Sequence, residues 1–195
     1  MNLANRLTII RIVIAPIFIV LLLTDGAGTK SSALLLFIIA SLTDFYDGRI
    51  ARVRGVVTSF GKFMDPLADK IIVLGALICF VALGEVWAWM VIIILAREVM
   101  ITHLRFIGAS KGIIIPAGRW GKHKTATQMI AVSVTLVVIA INSTFASLSS
   151  INAPSFLSLI LKYTPNVLVG LAVIMTIISG VLYVGKHREV LIKRE

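Results

Sequence analysis

Long apolar stretches fill this chain and leave few folds open to it. Six runs stand out, roughly Ile9–Leu23, Ser31–Arg52, Pro66–Leu83, Val86–Gly108, Thr125–Ile141 and Thr164–Val184. A hydrocarbon layer about 30 Å thick takes about 20 apolar residues to cross as a helix. The helix is also the element that bonds every backbone group within its own segment, which such a layer demands. The composition agrees: 58% of the residues are hydrophobic and 14% charged, against about 45–50% and about 25% in soluble domains. A soluble globule, a disordered chain and a collagen-like fibre are thereby excluded. The expectation is an all-α integral membrane bundle of six transmembrane helices forming a single domain over residues 1–195. The first run is short, and Asn2–Arg6 before it reads as an amphipathic segment in the interface. A signal peptide over Met1–Gly28 lacks a small-residue cleavage site, and its loss would leave five spans.

Six spans place both termini on one side. Fifteen Lys and Arg fall on that side, and the opposite loops carry only Lys30 and Lys162. Cytoplasmic loops carry the excess of basic residues, so both termini are expected in the cytoplasm of a cell whose inner (plasma) membrane the chain crosses. The net charge of +10 in so apolar a chain points to anionic headgroups or anionic substrates and not to nucleic acid. Cys79 is the single cysteine, so no internal disulfide can form. Asp25–Lys30 and Asn142–Tyr163 read as outer loops, and Gly108–Lys124 as the main inner loop.

An ionisable side chain inside a span is costly, which makes it a functional candidate. Asp44 and Asp47 lie near the inner end of the second span, and Asp65 and Asp69 at the inner start of the third. On a helix such spacings separate each pair by only about 60° and about 40°. The connector Val53–Lys62 is short, so the two helices are expected to be antiparallel neighbours whose carboxylates meet at one depth. Four carboxylates there repel unless some are protonated or a cation sits among them. Hard divalent cations take such oxygen ligands. Two of them side by side serve in-line displacement at phosphorus. Each aspartate alone has a bland alternative, as a solvated interfacial residue or an arginine partner. The set of four in register favours the metal reading. Gly48 and Ala51 would let a diphosphate approach the backbone, and Arg52 can fork onto its oxygens. Thr58 and Gly61 lie in the connector, where helix packing or a turn is the competing explanation for the glycines.

The fourth span and the inner loop point to a second anion. Arg97 and Glu98 lie in apolar surroundings, and Arg105, Arg119, Lys122 and Lys124 follow on the side that holds the aspartates. Positive-inside bias accounts for Arg119 and does not account for Arg97, which lies too deep. A phosphate that is bound and not consumed would need such charges.

The pattern Asp44-x2-Asp47-Gly48-x2-Ala51-Arg52-x8-Gly61-x3-Asp65-x3-Asp69 resembles the signature of the CDP-alcohol phosphatidyltransferase family at every fixed position. The beginning, Asn5, Leu7, Thr8, Arg11 and Pro16, resembles the family's amino-terminal stretch. Arg97-Glu98, Leu104-Arg105 and Gly121-Lys122-x-Lys124-Thr125 are similar to the branch that makes phosphatidylglycerol phosphate, from which Arg49, Val99 and His103 depart. Beyond about Gln128 only the hydrophobic pattern is similar.

This resemblance implies a six-helix homodimer that takes CDP-diacylglycerol as donor and sn-glycerol 3-phosphate as acceptor and releases CMP. It implies two divalent cations, Mg²⁺ or Mn²⁺, held by Asp44, Asp47 and Asp65 and shared with Asp69, with Asp69 as general base. It assigns the donor to Asn5, Thr8, Gly48, Ala51, Arg52, Thr58 and Gly61. The acceptor phosphate falls to Arg97, Arg105, Lys122 and Lys124. The nearest alternative is the same chemistry on serine, inositol phosphate or phosphatidylglycerol. A divalent-cation transporter would be expected to place its acids near the midplane with repeat symmetry, and here they sit at one end without a repeat.

Overall fold

The computed structural model describes the backbone of residues 3–54, 59–110, 119–148 and 155–186, and the side chains of 9–43, 70–110, 120–148 and 156–186. These residues form six helices and no strand: α1 Leu3–Leu23, α2 Ala27–Arg54, α3 Ser59–Ala82, α4 Ala88–Ser110, α5 Arg119–Ser147 and α6 Ser155–Lys186. Within α5 and α6, Trp120–Ser147 and Phe156–Lys186 are long and apolar enough to cross a membrane. The core joins all six helices through Phe18, Phe37, Phe80, Ile94, Leu136 and Val169. Small residues at the contacts (Ala15, Ala33, Ala76, Ala131 and Ala172, all buried) let the helices approach closely.

The polarity of the bundle is turned inside out. Arg11, Lys124, Gln128, Thr135, Thr176 and Ser179 are buried, and Val13, Val20, Leu35, Ile92, Phe106 and Val181 are exposed. An exposed apolar surface of this extent needs an apolar medium around it. Threonines answer to the same medium by turning their hydroxyls onto the carbonyl four residues earlier, as Thr43 does to Ile39 at 2.7 Å and Thr127 to His123 at 2.9 Å. Pro165 lies inside α6, where the neighbouring Thr164 hydroxyl donates to the Ile160 carbonyl at 2.8 Å.

Several boundaries differ from the sequence reading. Residues 3–6 form the first turn of α1, continuous with the span that follows. The outer loop Asn142–Tyr163 is mostly helix, because α5 runs to Ser147 and α6 starts at Ser155. Thr144 and Ser147 satisfy their hydroxyls on the Ala140 and Thr144 carbonyls, both at 2.8 Å, so polar residues continue α5 instead of ending it. The inner loop Gly108–Lys124 is shorter for a similar reason, since Arg119–Lys124 already belong to α5. Among the contacts between described residues, α1 packs on both α2 and α3, and α5 packs on α2.

The outer turns are well bonded. Gly84 ends α3 with φ +74°. The Gly84 N–H donates to Val81 at 3.0 Å and the Glu85 N–H to Phe80 at 2.9 Å, a Schellman motif that requires the left-handed residue between them. Asn166 of α6 ties this turn down, accepting from Trp87 N–H at 3.2 Å and donating to the Glu85 carbonyl at 3.0 Å. Lys30 caps the end of α1 by donating to the Leu22 carbonyl.

Candidate active site

Three helices bring their charges to one carboxylate. Glu98 of α4 is flanked by Arg97, whose Nη1 lies 3.0 Å from Oε1. Lys124 of α5 pairs with the same oxygen, and Lys70 of α3 lies 3.5 Å from Oε2. Lys70 also donates to Thr102 Oγ1 at 2.6 Å, and that hydroxyl donates to the Glu98 carbonyl at 2.7 Å. Arg97 reaches across to α6 and donates from Nη2 to Ser179 Oγ at 2.8 Å. The Lys124 and Glu98 side chains are 5% and 11% exposed, so these are interior charges and not a solvated surface pair. Charges this deep persist only when paired.

Beside the cluster lies a cavity of about 270 Å³. Arg11, Lys70, Lys124 and Glu98 line it, and Ser41 and Gln128 add polar atoms. Phe37 and Ala40 of α2 and Ile72 and Val73 of α3 form apolar wall, so α2 and α3 face one another across the cavity. The chamber suits a group with an anionic head and some apolar surface.

Position 44 follows the lining residues Ala40 and Ser41 by four and three on α2, and position 69 precedes Ile72 and Val73 by three and four on α3. The side chains of Asp44, Asp47, Asp65 and Asp69 lie outside the described residues. Those of Asn5, Thr8, Gly48, Ala51, Arg52 and Gly61 do too, although their backbones belong to α1, α2 and α3, and Thr58 lies wholly outside. Among the described residues no three His, Cys, Asp or Glu gather as a metal site. The donor set that the two helices carry, four carboxylates on consecutive turns either side of one short connector, fits hard divalent cations.

Of the four cations expected at an acceptor phosphate, Arg97 and Lys124 come together on Glu98. Arg105 turns instead to α6, where Nε donates to the Tyr183 hydroxyl at 3.2 Å and the guanidinium lies 5.5 Å from the ring centroid. Lys122 is exposed. Sequence reasoning left Arg11 and Lys70 unassigned and gave Glu98 no role, although the cost of a charge inside a span applied to each of them equally.

Residues 1–178 match a family model described as CDP-alcohol phosphatidyltransferase. The CDP-diacylglycerol–glycerol-3-phosphate 3-phosphatidyltransferase of Bacillus subtilis (strain 168) is 38% identical over 202 residues, covering 97% of each chain. A probable phosphatidylglycerophosphate synthase of Mycobacterium tuberculosis (strain H37Rv) is 36% identical, covering 95% of this chain and 81% of its own length. A CDP-diacylglycerol–glycerol-3-phosphate 3-phosphatidyltransferase of Rickettsia typhi is 40% identical over 136 residues, which is 70% of this chain and 76% of that protein.

Proposed function

The chain belongs to the CDP-alcohol phosphatidyltransferase family, and from that premise we propose that it transfers the phosphatidyl group of CDP-diacylglycerol to sn-glycerol 3-phosphate. The products are phosphatidylglycerol phosphate, which stays in the bilayer, and CMP. The observation that carries the acceptor assignment is the cluster of Lys70, Arg97 and Lys124 on the one carboxylate of Glu98, beside a cavity that Lys70 and Lys124 line. Three cations on one carboxylate suit an acceptor that carries an anion, which a neutral alcohol does not.

In this mechanism the acceptor hydroxyl oxygen forms a bond to the β-phosphorus of the donor. The bond from that phosphorus to the bridging oxygen breaks, and CMP departs with that oxygen. Asp69 accepts the hydroxyl proton. Asp44, Asp47 and Asp65, with Asp69, would hold two Mg²⁺ or Mn²⁺ ions, which supply neutralisation of the charge that develops on the attacking and leaving oxygens. Gly48, Ala51, Arg52, Thr58 and Gly61, with Asn5 and Thr8, receive the cytidine diphosphate head. Arg97 and Lys124 serve the acceptor phosphate.

The apolar exterior supports reading all six helices as spans of the plasma membrane, and the basic asymmetry supports a cytoplasmic active site. The outward apolar faces also leave room for a homodimer. The deciding experiment is CMP release by the purified protein in detergent, with CDP-diacylglycerol, Mg²⁺ or Mn²⁺ and a panel of alcohols. Release with glycerol 3-phosphate alone is expected. Release with serine or inositol phosphate in its place would overturn the acceptor, and release with no acceptor would overturn the transferase reading.

A further inference from the structure

We propose that Glu98 is a positioning residue, one carboxylate that gathers cations from three helices into the acceptor-phosphate seat and fixes the charge of that seat. The proposal deepens the reading above and rests on it for the identity of the acceptor. Packing alone does not hold these cations together. Among the described residues α4 packs mainly on α6, α5 on α6 and α2, and α3 on α1, and the contacts among α3, α4 and α5 are slight or absent. Yet Lys70, Arg97 and Lys124, one from each of these helices, all meet Glu98. Three cations within reach of one side chain repel each other strongly in surroundings this dry. Without the carboxylate they would spread, or a lysine would give up its proton. With it they stay, and three positive charges less one negative leave two over. A phosphate monoester carries about −1.5 to −2 near neutral pH. Glu98 thus brings the cluster to the charge of the group it receives and keeps Lys70 and Lys124 where they line the cavity. The two remaining tethers, Arg97 to Ser179 and Lys70 to Thr102, hold the outer edges of the cluster and leave its centre to Glu98.

A double-mutant cycle over Glu98→Gln and Lys124→Gln tests this in the full chain in detergent. It is read by saturation kinetics in each substrate and by calorimetric binding of inorganic phosphate. Loss of a charge-assisted contact should raise the acceptor KM and the phosphate Kd by about 10–150-fold in each single variant. The donor KM should hold. Both changes unseat the same lysine, so the double variant should match Lys124→Gln within about threefold. That last comparison stands even if Glu98→Gln alone does not fold. An unchanged acceptor KM in Glu98→Gln, penalties that multiply in the double variant, or wild type that binds no phosphate would each overturn the proposal. If phosphate binding by wild type depends on Glu98 and no CMP is released, the transferase reading fails and the role of Glu98 survives. If CMP is released and Glu98→Gln is kinetically silent, the reverse holds.

Discussion

Asp69 stands next in sequence to the lining residue Lys70 on α3. As general base it should affect the chemical step more than binding. Asp69→Asn is expected to lower kcat by about 10²–10⁴-fold and leave the donor Kd nearly unchanged. Asp44→Asn, Asp47→Asn and Asp65→Asn should instead raise the metal concentration needed for half-maximal rate. Metal titration of each variant separates the two patterns, and near-full turnover by Asp69→Asn would remove it from the role. The aspartate pairs were read from spacing along one helix alone, and their side chains lie outside the described residues. The partners of Glu98 could not be read so, since Lys70 and Lys124 lie 28 and 26 residues away along the chain and meet it only through the fold. Lys122 was grouped with Lys124 on the assumption of a loop. Once α5 begins at Arg119, two residues apart means about 160° apart, which is why one is buried and the other exposed.

At the scale of elements, α1 and α3 meet where a side chain on Gly75 would crowd Ile19, its Cβ only 3.0 Å from Cδ1. Ile19 can yield to one methyl group and not to a branched side chain. Gly75→Ala is expected to be nearly neutral, and Gly75→Val to cost about 1–3 kcal/mol by overpacking. Thermal unfolding in detergent would show the difference. Gly84→Ala should cost about 1–2 kcal/mol by a different route, forcing a Cβ into the left-handed region at the end of α3. An unchanged midpoint for Gly84→Ala would mean the turn has another conformation. The six helices could be read from their apolar runs, but their ends could not. Serine and threonine look like loop residues until their hydroxyls are seen to bond back within the helix, as at Thr144. The adjacency of α2 and α3 at their connector falls outside the described side chains, and beyond that region both helices line one cavity.

For the whole molecule the consistent signals are an apolar exterior and a charged interior. Topology can be tested from the sparse cysteine content. Cys79 is buried, so in a Cys79→Ala background a single cysteine at Leu148 or Lys193 becomes the only thiol. A membrane-impermeant maleimide should label Leu148→Cys on intact cells and should reach Lys193→Cys only after permeabilisation. The opposite pattern would invert the orientation and place the cationic cavity outside the cell.

The apolar exterior bears finally on how the two reactants arrive. CDP-diacylglycerol travels in a plane and glycerol 3-phosphate in a volume, so one protein samples two kinds of concentration. Diluting the donor with inert detergent, at constant total amount, should slow the reaction as its mole fraction in the micelle falls. The same dilution should leave the dependence on glycerol 3-phosphate untouched. The rate in a cell would then answer to the crowding of the donor among other lipids, and a membrane that expands faster than its CDP-diacylglycerol supply would slow this step without any regulator.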